Sequence, residues 1–282
     1  MRKRNKQGRD FAGPRDTARA DKSDRGDWIY GRRPALEVLR AGKRHIYEAV
    51  LPPAERDTPE TAELRDLLMA QGVPFRTPDR EELDDLCRGG NHQGTALRAG
   101  GFPYISLEQV LHDIKERPDA IVLILDHIED PQNVGSLLRT ADAAGVTAVL
   151  LPADRAAGIT PAAARASAGA SEHMRVAKVV NLVRAMKEIQ AQGAWITGLD
   201  MGPDARPHTA VDFKGRVGLA VGSEGRGLSR LVRETCDFIV CLPMKGRVAS
   251  LNAGVAGAVA LYEVVRQRDC DTRTSQDDRH LH

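Results

Sequence analysis

Between residues 217 and 262 the chain carries a pattern that few folds can accommodate. Val217 to Val221 is a short apolar run of the kind that forms a buried strand, and it breaks directly into Gly222-Ser-Glu-Gly-Arg-Gly227. The glycines let the backbone take positive φ and let a ligand approach the main chain closely. A second apolar run, Phe238 to Leu242, stops at Pro243, and Ser250 and Asn252 then head a small-residue helix expected to reach about Arg266. Two strand ends, one glycine turn and one polar helix start predict a cleft built largely of backbone. Such a cleft suits a nucleotide-like ligand.

The run Ala120 to Leu125 reads as a central parallel strand. It ends in Asp126-His-Ile-Glu-Asp-Pro-Gln-Asn-Val-Gly135, where Asp130 can cap a helix with Pro131 in its first turn. That helix runs to Ala144, stops at Gly145 and feeds the strand Val146 to Leu151. A strand–helix–strand unit implies a parallel sheet with right-handed crossovers. Helices over Pro161 to Ala170 and Leu182 to Gln192, the latter capped by Asn181, alternate with strands over Arg175 to Val180 and Ala194 to Leu199. Residues 120–268 are therefore expected to form one α/β domain of five or six strands, followed by a flexible polar tail, 269–282.

Ahead of it, residues 27–99 alternate like a separate small α/β domain, with helices from Pro34, Thr58 and Pro78 and strands at His45 to Leu51, Gly72 to Phe75 and Gly94 to Arg98. His92, in the polar loop Arg88 to Gly94, is expected to hold that loop rather than do chemistry. Residues 100–119, with two glycines, two prolines and a short helix over Leu107 to Lys115, read as a linker. Residues 1–26 are rich in Arg, Lys, Asp and Gly, and are expected to be a disordered basic arm, either solubilising or electrostatically drawn to RNA.

Composition sets outer limits. A net charge of +2 permits a nucleic-acid partner without indicating one, and 4% aromatics argue against stacking platforms dominating. The four cysteines show neither Cys-x-x-Cys nor zinc spacing, which fits a reduced, cytoplasmic protein without a metal. The charged N-terminus does not read as a signal peptide, and the helix from Leu251 to Val265 is too short for a bilayer and carries Glu263. There is no Gly-x-Gly-x-x-Gly after the first strand and no P-loop.

Three polar groups fall at strand ends, where ligands of open α/β sheets bind: Asn133 with Gly135 and Arg139, then Glu224, then Ser250 with Asn252. Gly135 and Arg139 lie four apart on one helix face, so the missing side chain is expected to leave room beside the guanidinium. Free N–H groups at that helix start would favour a phosphate nearby. Each group also has an ordinary reading: Arg139 paired with Asp142, Glu224 capping a turn, Ser250 as a helix N-cap.

Asp130-Pro-Gln-Asn-Val-Gly-Ser-Leu-Leu-Arg139, Gly222-Ser-Glu-Gly-Arg-Gly227 and Ser250-Leu-Asn-Ala-Gly-Val-Ala256 resemble, in order and spacing, the three motifs of the SpoU/TrmH family of SPOUT RNA 2′-O-ribose methyltransferases. The small domain, with Tyr30-Gly-Arg-Arg-Pro-Ala-Leu-Glu-Val-Leu39 and His92-Gln-Gly94, is similar to the RNA-binding domain of the branch that methylates guanosine in 23S ribosomal RNA. The resemblance spans about residues 28–268; Ala253-Gly254 and the basic arm are its departures. It implies S-adenosylmethionine as cofactor, RNA as partner, a deep trefoil knot and a homodimer. It places cofactor contacts on Gly222, Leu242 and Leu251, and catalytic roles on Asn133, Arg139, Glu224, Ser250 and Asn252. Arginine is a poor base because its pKa exceeds about 12, so Arg139 is expected to stabilise a developing alkoxide or hold a phosphate. The alternatives are a transfer-RNA substrate and a non-catalytic RNA-binding factor that keeps the fold. The intact five-residue polar set argues against the second.

Overall fold

The computed structural model describes residues 26–277 apart from Ala249. The basic arm up to residue 25 and the last five positions of the expected tail, 278–282, lie outside the described residues.

The leading part folds on a four-stranded sheet. Its strands are β1 (Asp27–Tyr30), β2 (Ile46–Val50), β3 (Phe75–Arg76) and β4 (Ala96–Ala99), in the order β1-β4-β2-β3. Helices α1 (Arg32–Ala41), α2 (Pro59–Ala70) and α3 (Arg80–Leu86) accompany it. Thr58 and Thr61 form a reciprocal capping box that starts α2, with Pro59 in its first turn. β3 is shorter than the sequence suggests, because the N–H groups of Gly72 and Val73 close α2 on Met69 and Leu68 instead of joining the sheet. Ile29, Leu36, Leu39, Leu64, Leu68 and Leu97 make the core between sheet and helices.

The larger sheet has seven strands, all parallel: β5 (Ile121–Asp126), β6 (Ala148–Pro152), β7 (Val176–Val179), β8 (Trp195–Leu199), β9 (Arg206–Pro207), β10 (Val217–Gly222) and β11 (Phe238–Cys241). Their order is β7-β6-β5-β10-β8-β11-β9. The two-residue β9 is the strand beyond the five or six expected; nothing in Arg206-Pro207 signals one. β5 shows why this sheet reads as continuous apolar runs. Ile121, Leu123 and Leu125 pack on one face, with α5 (Pro131–Ala143) and α9 (Ala253–Asp277). Val122 and Ile124 pack on the other, with α4 (Leu107–Glu116) and α7 (Leu182–Gln190). Both faces are covered, so no strand position is left for alternation.

Two further expectations change. The helix in the presumed linker is α4, and its Val110 and Ile114 are fully buried beneath the large sheet; residues 107–116 belong to that domain. The final helix continues past Arg268 to Asp277. Gln267 fastens it by donating to the Val211 carbonyl (3.0 Å) and accepting from Phe213 N–H (2.9 Å). Glu263, beside it, accepts from Arg266 and Gln267, and the Arg266 guanidinium holds its carboxyl down at about 2.

The two sheets are joined through α6 (Pro161–Ala166) and the single turn Ala170–Glu172, both of which touch the small domain. Arg44, just before β2, donates through Nε (2.8 Å) and Nη2 (2.7 Å) to the two carboxylate oxygens of Glu172. Both side chains are 1% exposed. Nη1 donates to the Gly100 carbonyl (3.3 Å), and the guanidinium lies over Phe102 at 5.0 Å. His173 to Glu37 and Lys43 to the His173 carbonyl add exposed ties nearby. Removing one partner of a buried ion pair strands the other charge, which costs about 3–5 kcal/mol. Arg44→Ala should therefore lower stability by about that amount, whereas Arg44→Met with Glu172→Leu should be far milder. Urea unfolding of the three proteins checks this, and equal losses in both variants would mean that the charge pairing is not what joins the sheets.

Candidate active site

β5 and β10 are neighbours in the sheet, with Gly222 in register with Asp126, so both chains leave it at one edge. Beyond β10 the turn folds back, with Gly227 N–H donating to Ser223 O (2.9 Å). Gly222 has to be glycine, since a Cβ there would come within 2.2 Å of the Gly227 carbonyl group. Gly227 is at φ +66, and a Cβ on it would meet Asp200 Oδ1 at 2.5 Å.

Glu224 projects from this turn and is the meeting point of the three motifs. Its Oε1 accepts from Asn133 Nδ2 (2.9 Å) on α5 and from Ala253 N–H (3.3 Å) at the start of α9. Asn252 Nδ2 also donates to Glu224 Oε1, and to Asn133 Oδ1 at 2.7 Å. Asn252 Oδ1 accepts from Val255 N–H (3.2 Å), which makes Asn252, not Ser250, the N-cap of α9. All four amide heteroatoms of the two asparagines are thus engaged. One N–H of the Asn133 amide, which is 8% exposed, is left over.

Arg139 is not part of this group. It is exposed on α5 and has no hydrogen bond or ion pair among the described residues, to Asp142 or to any other acid. The space expected beside it at Gly135 does not exist either. α6 fills it: a Cβ at Gly135 would lie 2.4 Å from Ala166 Cβ and 2.6 Å from the Ala163 carbonyl. Gly135 seats α6 on α5. Its spacing to Arg139 carries no information about a ligand.

Two cavities flank the glycine turn. One, of about 340 Å³, has walls from Leu199, Val221 and Ala256, with Met201 and Met244 at its sides; Gly222, Leu242, Ser250 and Leu251 also line it. The other, of about 590 Å³, is bounded by Asp126 to Asp130, Asn133, Arg155 and Ser229. Ser223, Glu224, Arg226 and Gly227 line both. The first is mostly apolar, and the second is charged.

The second cavity contains residues that sequence reasoning did not single out. Asp126 is 1% exposed and accepts from Ser229 N–H (2.6 Å) and from His127 Nδ1. It thereby ties the far end of the glycine turn to β5. His127 and Arg155 hold φ of +55 and +52, a region that non-glycine residues seldom occupy. The only available signal was the position of Asp126-His127 at the end of a central strand. His92 plays the loop role expected: its Nδ1 accepts from Gly94 N–H (3.0 Å) and its Nε2 meets Asp84 (3.0 Å).

Comparison with known proteins bears on family and fold. The family model described as the SpoU rRNA methylase family matches residues 120–262, and that for RNA 2′-O ribose methyltransferase substrate binding matches residues 28–104. The chain is 37% identical over 249 residues to the 23S rRNA (guanosine-2′-O-)-methyltransferase RlmB of Xanthomonas campestris pv. campestris, covering 87% of this chain and 98% of that protein. It is 40% identical over 253 residues to an uncharacterized tRNA/rRNA methyltransferase of Mycobacterium ulcerans, covering 88% and 79%. The fold matches the AdoMet complex of the SpoU methyltransferase AviRb from Streptomyces viridochromogenes with a TM-score of 0.73 at 24% identity, over 90% of this chain and 95% of that one.

Glu224→Ala releases three donors at once, so it should destabilise the fold by about 1–3 kcal/mol. Glu224→Gln keeps an acceptor oxygen and should cost less. Melting temperatures of both variants test this, and a Gln variant as unstable as the Ala variant would show that the negative charge is what holds the cluster.

Proposed function

The chain belongs to the SpoU rRNA methylase family, and from that premise we propose that it methylates the ribose 2′-hydroxyl of a guanosine in 23S ribosomal RNA, using S-adenosylmethionine. The observation that carries the reading is the convergence of Asn133, Glu224 and Asn252 from three separate strand ends, between an apolar and a charged cavity. Similarity to the Xanthomonas protein along nearly its whole length supports the ribosomal substrate. A cytoplasmic setting follows from that substrate. Among the described residues no helix is long and apolar enough to cross a membrane.

The first cavity fits the cofactor. Its apolar walls and two thioethers suit the adenine and methionine portions, while the glycine turn offers main-chain N–H groups where no Cβ intrudes. Gly222, Leu242 and Leu251 would hold it, mostly through backbone. S-adenosylmethionine supplies an electrophilic sulfonium methyl when bound. The chain's task is then to present the hydroxyl in line with it, and positioning of this kind can supply much of a rate. Glu224 locks the two asparagines, and the spare N–H of Asn133 points a donor at the acceptor ribose. Ser250 steadies the hydroxyl from the cofactor side. Arg139 stabilises the negative charge that develops as the hydroxyl proton departs.

Arg139 has to be brought to the site, and a homodimer does this. Val255, Val259 and Tyr262 form an exposed stripe along α9, at 49%, 41% and 52% exposure, with Leu251 at its start. α9 packs on α5, where Ser136 faces Gly254 and shares a helix face with Arg139. A second copy seated on the stripe would cover it and enclose Arg139. The threaded knot implied by the family resemblance is in keeping with a terminal helix that returns to lie on α5.

Label transfer from tritiated S-adenosylmethionine to purified ribosomal RNA should give an alkali-resistant dinucleotide. Arg139→Ala should abolish it with little change in cofactor affinity. Label on transfer RNA alone would overturn the substrate, and equal loss of turnover and cofactor binding in the variant would overturn the role of Arg139. Val259→Asp should convert the dimer to a monomer in analytical ultracentrifugation and remove activity. A fully active monomer would show that each chain completes its own site.

A further inference from the structure

The junction between the two sheets holds a third cavity, of about 330 Å³, separate from the two beside the glycine turn. Three segments wall it: β1 with Trp28 and Tyr30, the end of α3 with Leu86 to Arg88, and the start of α6 from Thr160 to Ala162. Trp28 and Tyr30 pack on the small cluster around Leu83 and Cys87, yet both rings stay only half-buried. Tyr30 is braced by Arg165, whose guanidinium lies 5.7 Å from the ring centroid and donates to the Asn91 carbonyl. Asp27 and Arg88 line the rim, both exposed, and neither side chain has a hydrogen bond or ion pair among the described residues. Arg88 also holds φ +52.

These walls discriminate between ligands. A phosphate would favour cations without the Asp27 carboxylate, and an apolar peptide would leave Asp27 and Arg88 unused. Aromatic faces, an apolar floor, one donor and one acceptor match an unpaired nucleobase. The chain carries only two tryptophans, and one of them stands here.

Position strengthens the match. Arg155 lines the charged cavity and Thr160 lines this one; five residues span at most roughly 18 Å. A strand of RNA that delivers a nucleotide to the charged cavity therefore passes this junction within a few nucleotides. We propose that the cavity between β1, α3 and α6 receives an unpaired RNA base flanking the methylated nucleotide, stacked on Trp28. The proposal rests on the RNA methyltransferase reading and extends it to a second contact made jointly by both domains.

Trp28→Ala should weaken binding of a 23S ribosomal RNA transcript by roughly tenfold, Trp28→Phe should retain most of the affinity, and both should bind S-adenosylmethionine as before. In a Trp195→Phe protein all tryptophan emission comes from Trp28. It should be quenched by a single-stranded RNA oligonucleotide and not by a duplex of the same length. Unchanged affinity in Trp28→Ala, equal quenching by duplex, or no quenching in a Trp195→Phe protein that still methylates ribosomal RNA would each overturn the proposal and leave the function standing. A wild-type protein that neither binds nor methylates RNA would bring down both.

Discussion

One carboxylate oxygen organises the end of this molecule where the three motifs meet. Glu224 Oε1 accepts from α5, from the segment before α9 and from the first N–H of α9 itself. Three segments far apart in sequence are thereby held to one point. A carboxylate suits the place because it accepts only, and because it sits at the N-terminus of a 25-residue helix, where the aligned peptide dipoles favour negative charge. The arrangement depends on the tight return of the chain after β10, and that return depends on Gly222 and Gly227. The glycines are needed less for flexibility than for the absence of Cβ atoms where backbone meets backbone.

The two cavities beside Glu224 differ in chemistry. The apolar one can hold a flat, uncharged ring system with its polar edges met by main-chain groups. The charged one is mixed in sign, with Arg155 and Arg226 facing the carboxylates of Asp126, Glu129, Asp130 and Glu224, which suits a polar ligand rich in hydroxyls more than an isolated phosphate. The segment from Arg155 through α6 to Glu172 runs from that charged cavity to the small domain, and it also packs on α5 beneath Gly135. The buried Arg44–Glu172 pair therefore does more than join two sheets. It fixes the small domain to the segment that seats the helix carrying Asn133 and Arg139.

Much of this was legible from residue types alone. The central strands read as unbroken apolar runs because helices cover both faces of the sheet. Thr58, Asp130 and Asn181 each cap the helix that the sequence assigned to them, since capping is a local contest that a single side chain decides. What stayed hidden depends on distant partners. α4 sits among glycines and prolines like a linker, and only the underside of β5 and β7 makes its Val110 and Ile114 a core. Gly135 looked like room for a ligand because its real neighbour, α6, lies a full strand further along. Ser250 was the obvious cap by type, but Glu224 and Asn133 hold Asn252 in the capping position instead.

Arg139 shows where reading a single chain stops. Its motif ties it to the other polar residues, yet in one copy it is exposed on α5 and lines neither of the cavities beside Glu224. An exposed charge without a partner is unremarkable by itself. Here its helix packs on α9, whose apolar stripe a lone chain leaves in water, where about 25 cal/mol per Å² of apolar area is forfeited. A two-fold contact buries the same patch on both partners, so whatever one copy receives it also gives. On that logic the proposed dimer would meet with one association both the pressure to cover Val255, Val259 and Tyr262 and the need to bring a guanidinium to the Glu224 cluster. In the proposed dimer the partner copy would be part of the site, because each copy's arginine would be enclosed only when the other is present.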